Sequence, residues 1–451
     1  MKNVIRTAFL IGITALSSYA QQTPVTAPQT YSFSLADCIN YAYLHQDTVK
    51  NAALDIKSAE YKVKETTGQG LPQLSGSASI IDYLKIPTTL LPGEFFGQPA
   101  GTFIPVKFGV KYQSNFGFDA SQLLFDGTFF IGLKASKTYK ELSQKNFVRS
   151  KIEANVIVSK AYYQVLVSNE RVKLLDANLN QLKQQVDQTT AQNKQGFVEK
   201  IDVDRITVQY NSLVTQRENT LRLLALGYQM LKFQMGMPIE NNLVLIDKLE
   251  DVKMDENIAG SNIDSALYHN RIEYSLVQTQ IKLNQLDVQR NKAKFYPTLS
   301  AVANYTSSYQ NNGFGNLYSN QFPSSYVGLR LNVPIFNGFQ RTNQLRQAQV
   351  AVQKSQNDLD NVKNGLALQA EAARITYING LQTLNSQRKN RELAQEVLRV
   401  SKIKYQQGVG SSLEITQAET ALVSADDDYI QGLYQALVSK VDLDRAYGRI
   451  L

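Results

Sequence analysis

Few side chains in this 451-residue chain are of the kind that make or break bonds. The candidates are two histidines, His45 and His269, a single cysteine, Cys38, and one acidic run, Asp426-Asp427-Asp428. A metal centre needs several ligands at a characteristic spacing, and nucleophilic chemistry needs a base near its nucleophile. The sequence offers no such spacing, no nucleophile elbow and no phosphate-binding glycine loop. The histidines fall at matching places in two similar segments, which a duplication explains better than a metal site does. Cys38 follows Asp37 well beyond the N-terminus, so it is neither half of an intramolecular disulfide nor a lipid anchor; it reads as a small, half-buried helix residue. The three aspartates read as a solvated helix face. Ser411-Ser412-Leu413-Glu414 has the form of a capping box, in which Glu414 would bond back to the helix start. None of this calls for an enzyme, a metal or a cofactor.

The elements that would carry these residues occur twice. Leu35-Ala36-Asp37-Cys38-Ile39-Asn40-Tyr41-Ala42 is answered by Ile263-Asp264-Ser265-Ala266-Leu267-Tyr268, with Ile39, Ala42 and His45 falling on Ile263, Ala266 and His269. Leu71-Pro72-Gln73-Leu74 is answered by Tyr296-Pro297-Thr298-Leu299, and Leu124-Phe125-Asp126-Gly127 by Ile335-Phe336-Asn337-Gly338. Gln195-Gly196-Phe197-Val198 is answered by Gln407-Gly408-Val409-Gly410. Each copy reads helix, strand, loop, strand, very long helix, turn, helix, and an internal repeat of this length constrains the fold before any single residue does. Gly127 to Gly196 and Gly338 to Gly408 span about 69 and about 70 positions, as two packed helices of set length would. The interval between the strand signals is about 14 residues longer in the first copy, an insertion of the kind surface loops tolerate.

Met1-Lys2-Asn3-Val4-Ile5-Arg6, the apolar stretch from Ala8 to Leu16 and Ser18-Tyr19-Ala20 read as a secretory signal peptide over 1–20. The remainder divides into a first repeat over 21–238, a linker over 239–261 and a second repeat over 262–451. No other run is apolar and long enough for a spanning helix. The formal charge is +8, roughly +6 without Lys2 and Arg6, and no compact basic run interleaved with aromatics points to nucleic acid.

Four segments alternate with the period of a strand, over about 73–84, 108–125, 297–310 and 325–336. Tyr112, Ser114, Phe116, Phe118 and Ala120 oppose Lys111, Gln113, Asn115 and Asp119. Leu299, Ala301, Ala303 and Tyr305 oppose Ser300, Asn304 and Thr306. Val327, Leu329, Leu331, Val333 and Ile335 oppose Arg330 and Asn332. Strands of about 9 to 11 residues with this pattern and aromatics near their ends suit a transmembrane barrel. Half of a soluble sandwich shares the pattern, and one strand alone does not choose between them. Four strands are too few to close a barrel, so a single chain would leave two open edges in lipid and must oligomerise.

Long proline-free stretches, from about Phe129 to Asn193 and from about Gln340 to Gln406, would each make a helix about 100 Å long. Apolar positions such as Leu175, Leu179, Leu182 and Val186, or Leu393, Val397 and Val400, recur three and four apart, a narrow seam for packing thin partners. A hollow helical cylinder and a plain soluble coiled coil both fit that seam.

In this order, the strand-opening Pro-Gln-Leu and Pro-Thr-Leu, the strand-closing Phe-Asp-Gly and Phe-Asn-Gly, and the two glycine turns resemble the outer membrane efflux protein family, the TolC-like channel-tunnels. The resemblance covers nearly the whole chain after the signal peptide. It implies an α+β fold, a homotrimer whose four strands per chain close one β-barrel in outer-membrane lipid, continued by a long periplasmic α-helical coiled-coil barrel. It also implies an exit duct for a tripartite efflux pump, with a periplasmic adaptor of the membrane fusion class and an inner-membrane pump as partners. The same fold serves type I protein secretion. The linker would belong to a belt at mid-height.

The resemblance further places a gate at the two helix tips, where Gly196, Phe197, Val198, Gly408, Val409 and Gly410 would face adaptor and pump. Family members often close this end with a tyrosine and an arginine on the second tip, an aspartate on the first and acidic rings in the lumen. Tyr405, Asp202 and Glu414 match the tyrosine, the aspartate and the first ring; Gly410 replaces the arginine and Gln417 the second acid. Lys200, Arg205 and Lys404 are the nearby cations that could stand in. For Asp202 and Glu414 the helix-start reading remains beside the gate reading, and a capping carboxylate repeated around a trimer would still make a narrow pore negative. The reading from another class is a secreted or periplasmic coiled-coil structural protein without a pore. The two part company on membrane fractionation: a duct stays with the outer membrane after a carbonate wash, and a soluble coiled coil is released.

Overall fold

A computed structural model of the chain describes residues 29–249, 254 and 267–450. The segment read as a signal peptide, most of the linker after Leu249 and the start of the second repeat at Ile263 lie outside the described residues. The first repeat opens with β1 (Thr30–Phe33), α1 (Leu35–His45) and α2 (Asp47–Gly68). Then come β2 (Gln73–Asp82), a hairpin of β3 (Thr88–Pro92) and β4 (Phe103–Lys107), β5 (Tyr112–Phe125), α3 (Gly127–Lys194) and α4 (Lys200–Met235). After β6 (Asn242–Leu245), the second repeat supplies α5 (Ile272–Ala293), β7 (Thr298–Asn311), β8 (Gln321–Asn332), α6 (Gln340–Gln406) and α7 (Ser412–Ala446). α3 has 68 residues and α6 has 67, so each runs about 100 Å.

β2, β5, β7 and β8 form one antiparallel sheet in the order β2-β5-β7-β8. Residues paired across a ladder share a face, and the register lines up one apolar face across all four strands. Leu74 pairs with Ala120 and Ala120 with Ala303, which pairs in turn with Val327. Phe116 pairs with Ala78 on one side and Ser307 on the other. The opposite face is hydrogen-bonded and polar: Asn304 Nδ2 donates to Asp119 Oδ1 at 2.7 Å, and Ser308 Oγ to Asn115 Oδ1 at 2.6 Å. Away from the loop end, where Tyr318 lies against Phe116 and Ser114, the apolar face is bare among the described residues, with Leu74 75% and Val327 85% exposed. Its loop end carries Phe116, Tyr309 and Tyr318 in mutual ring contact, and its helix end carries Phe125, Phe130, Phe336 and Phe339. The nine steps from Phe116 to Phe125 measure about 30 Å along a strand. Tilted as in an outer-membrane barrel, that gives an apolar band of about 25 Å.

Three expectations need correction. β8 occupies Gln321–Asn332 rather than 325–336, because Asn332 already pairs with Thr298, the first residue of β7, and the ladder has no partner beyond it; Pro323 is tolerated because β8 is an edge strand. Val333 and Ile335 therefore lie beyond the strand. β5 starts at Tyr112 rather than at 108, after Gly109 with its φ of 125°. The longer interval between the first two strand signals, expected as a surface-loop insertion, holds the β3–β4 hairpin.

The largest apolar core sits where α1, the middle of α3 and the C-terminal parts of α4 and α7 meet, around Tyr162, Leu231, Met235 and Leu437. β1 and β6 pair in parallel beside it, tying the start of the first repeat to the linker. Asp247 Oδ2 accepts from the Tyr162 hydroxyl and from Leu35 N, both at 2.8 Å, so one linker carboxylate satisfies a buried phenol and the start of α1. Cys38 is completely buried in this core rather than half-buried, and burial pushes its thiol up to about 12. A maleimide should therefore leave the native protein unlabelled at neutral pH and label it stoichiometrically in denaturant; fast native labelling would show that this core opens.

Candidate functional site

The two helix tips have the same local structure for the same reason. Gly196 and Gly408 take left-handed φ values of 81° and 75°, which a side chain resists. Phe197 N then bonds back to Gln192 O and Val409 N to Lys404 O, each at 3.0 Å, closing the two helix ends in Schellman fashion. Phe197 and Val409 are left pointing outward, 77% and 78% exposed.

Between the tips lies an open cleft of about 460 Å³ lined by Gly196, Phe197, Val198, Asp202, Arg205 and Tyr405. Asp202 and Tyr405 thus meet across the two repeats. Tyr405 donates a long hydrogen bond, 3.4 Å, to Gln192 Oε1 of α3. Its phenol is pushed up first by burial and then by the Asp202 charge. Asp202 is in the first turn of α4 and its carboxylate pairs at 3.3 Å with Arg205 on the same helix. The cation comes from the next turn and not from the opposite tip.

Gly410 is the position where a family arginine was expected. A Cβ built there would lie 2.9 Å from Tyr405 N and 3.1 Å from the Lys404 carbonyl carbon, so this turn has no room for any side chain. Glu414 and Gln417 do not line the cleft; both are exposed on α7. Ser411 Oγ accepts from Glu414 N at 3.2 Å, so only the serine half of the capping box forms. The Glu414 carboxylate is left to solvent.

Above the tips the acidic run departs from its reading. Consecutive helix residues point about 100° apart, so three aspartates cannot share one face. The buried seam of α7 runs Ile415, Ala418, Glu419, Leu422, Asp426, Ile430. Asp426, 6% exposed, joins both repeats: Arg391 Nε of α6 donates to Oδ1 at 2.7 Å and Asn178 Nδ2 of α3 to Oδ2 at 2.8 Å. Asp427 pairs with Arg171 of α3 at 3.0 Å and accepts from Gln216 of α4 at 2.8 Å. Asp428 alone is exposed. The signal was legible as a carboxylate on an apolar seam, at the three-and-four spacing that otherwise carries Ile and Leu.

A duplicated helical hairpin below a four-stranded sheet, bare on its apolar face, defines an outer-membrane channel-tunnel protomer, and the chain belongs to the outer membrane efflux protein family, whose sequence pattern matches residues 39–225 and 269–449. It is 25% identical over 348 residues to the probable efflux pump outer membrane protein TtgC of Pseudomonas putida, covering 75% of this chain and 69% of that one. It is 21% identical over 321 residues to the protease secretion protein PrtF of Dickeya chrysanthemi, covering 70% and 67%. Among solved structures, CusC superposes with a TM-score of 0.73 at 16% identity over 92% of both chains. The Vibrio cholerae outer membrane protein VceC gives 0.70 at 14% identity over 92% of this chain and 96% of its own.

Breaking the Asp426 strut should loosen the hairpins. Asp426→Ala strands the Arg391 charge and should destabilise by about 3 kcal/mol, seen as lost amide-exchange protection in α7. Asp428→Ala should stay within about 0.5 kcal/mol. Equal effects of the two would remove the strut.

Proposed function

We propose that the chain is the outer-membrane exit duct of a tripartite efflux pump, carrying small molecules passively across the periplasm and outer membrane through an entrance pinched at the helix tips. The observation that supports it best is the register of the sheet, which gathers one apolar face and leaves β2 and β8 as unpaired edges. In lipid each unpaired backbone group costs several kcal/mol. β8 of one chain adding to β2 of the next, three times over, removes every edge and closes a barrel of about twelve strands. The polar face of Asp119, Asn115, Asn304 and Ser308 then lines water, and α3, α4, α6 and α7 continue the wall through the periplasm.

The repeats divide at the linker, with boundaries near 238 and 262, and the described part of that linker, including β6 and Asp247, lies against the core midway along α3. A belt at mid-height is where an adaptor would grip. The tips, with Phe197, Val198, Val409 and Gly410 outward, are where adaptor and inner-membrane pump would dock. Asp202, Tyr405, Glu414 and Gln417 are the gate candidates. Tyr405 bridges the two hairpins of a chain, and the Glu414 carboxylate, which makes no cap bond of its own, would ring the lumen with negative charge. The likeness to PrtF favours a second reading, the exit duct of a type I protein secretion system, on the same architecture.

Purified protein in a planar bilayer should show a small, cation-preferring conductance. Glu414→Ala should lower the cation preference, and Tyr405→Phe, by removing the bridge to Gln192, should raise the conductance with selectivity unchanged. An inserted preparation that never conducts would refute the duct. For the barrel, Leu329→Arg on the apolar face should cost about 2 to 4 kcal/mol of barrel stability. Ser77→Arg on the polar face should leave assembly intact; the reverse order would mean that the faces are assigned the wrong way round.

A further inference from the structure

Two carboxylates occupy the buried seam of α7, seven residues apart, and they are treated differently. Asp426 has a donor for each oxygen. Glu419, two turns nearer the entrance, is also 6% exposed, yet neither of its oxygens has a hydrogen-bond partner. Lys402 of α6 stands off at 3.6 Å. Glu419 faces a cavity of about 220 Å³ between the two hairpins, with Asn178 and Gln181 of α3, Gln209 and Gln216 of α4, and Leu398 of α6 on its walls. Among the described residues no other charged side chain lines that cavity. Besides Lys402, Tyr210 of α4 and Tyr405 of α6 sit in the apolar clusters beside it, and Asp426 and Asp427 hold the wall residues Asn178 and Gln216.

A buried carboxylate without hydrogen bonds is an unstable arrangement when ionised and a tolerable one when protonated. We propose that Glu419 and Lys402 form a proton-responsive latch that positions the two helical hairpins of each chain: with Glu419 protonated the hairpins pack and hold the entrance narrow, and with it ionised they part below the Asp426 strut and let water reach the carboxylate. This rests on the duct reading only for its effect on an entrance; the hairpin motion stands by itself. From Asp426 to Glu414 there are twelve residues, a lever of about 18 Å, so a small opening at the cavity becomes a larger one at the tip.

The direction with pH follows from burial. Burial, opposed by the Lys402 charge, pushes Glu419 from 4.5 up to about 6; burial also pulls Lys402 down. A group whose pKa is raised in the packed arrangement favours that arrangement below 4.5 and withdraws the preference as pH rises through about 6. Across that window the ratio of packed to parted hairpins should fall roughly 30-fold.

The test is a distance. Spin labels at Asn211→Cys on α4 and Ala421→Cys on α7, both exposed positions, report hairpin separation by pulsed electron resonance in the assembled protein, with Cys38 too buried to compete. The native chain should shift toward the longer separation between about pH 4 and pH 8. Glu419→Gln, which mimics the protonated acid, should keep the short separation throughout. Lys402→Gln leaves the carboxylate without its counter-charge and should move the midpoint upward. The same profile in the native chain and Glu419→Gln overturns the latch. If Glu419→Gln does not assemble, an unmoved midpoint in Lys402→Gln overturns it equally. Conductance measured alongside keeps the readings apart: a distance response without any conductance supports the latch and counts against the duct.

Discussion

Two rows of unpaired backbone groups, along β2 and β8, set the terms for the rest of the molecule. A sheet of four strands cannot satisfy its own edges, and hydrocarbon offers no water to do so. The hydrophobic face is equally unfinished, since none of the described helices packs on it. Both deficits lie on the outside of the described chain. The long helices continue directly from these strands, α3 from β5 and α6 after β8, and pack along narrow seams rather than into a broad core.

That constraint explains how the helical part is held. The long helices bury narrow seams, and the largest apolar core among the described residues lies at the middle, where α1, β1 and β6 pack beside them. Below that core, order depends on short clusters such as Leu182–Leu213 and Leu398–Leu422 and on polar struts between hairpins. Asp426 and Asp427 are such struts. They fix the relative position of the two hairpins more specifically than leucines would, because a paired carboxylate tolerates few alternative registers. Toward the tips the polar links thin out to Tyr405 with Gln192 and Gln209 with Thr420. The hold between hairpins is therefore weakest at the tips.

The sequence by itself determined the duplication, the alternating strands, the two extreme helices and the glycine turns, because each depends on local period or local backbone conformation. The tip of α6 could be read from Gly408 and the cap from Ser411 without knowledge of any distant residue. Tertiary structure decided everything that depends on a partner from afar. It showed that Asp202 takes its cation from Arg205, that Gly410 is small because the backbone of Lys404 and Tyr405 fills its space, and that Glu414 leaves its cap unmade. It separated Asp426 from Asp428, although they stand two residues apart in an identical run. It also singled out Glu419, which in the sequence is one acid among many. Seam membership is a matter of about 100° of helix rotation, and the composition of a short stretch does not contain it; only the packing of a second helix against the first says which side is dry.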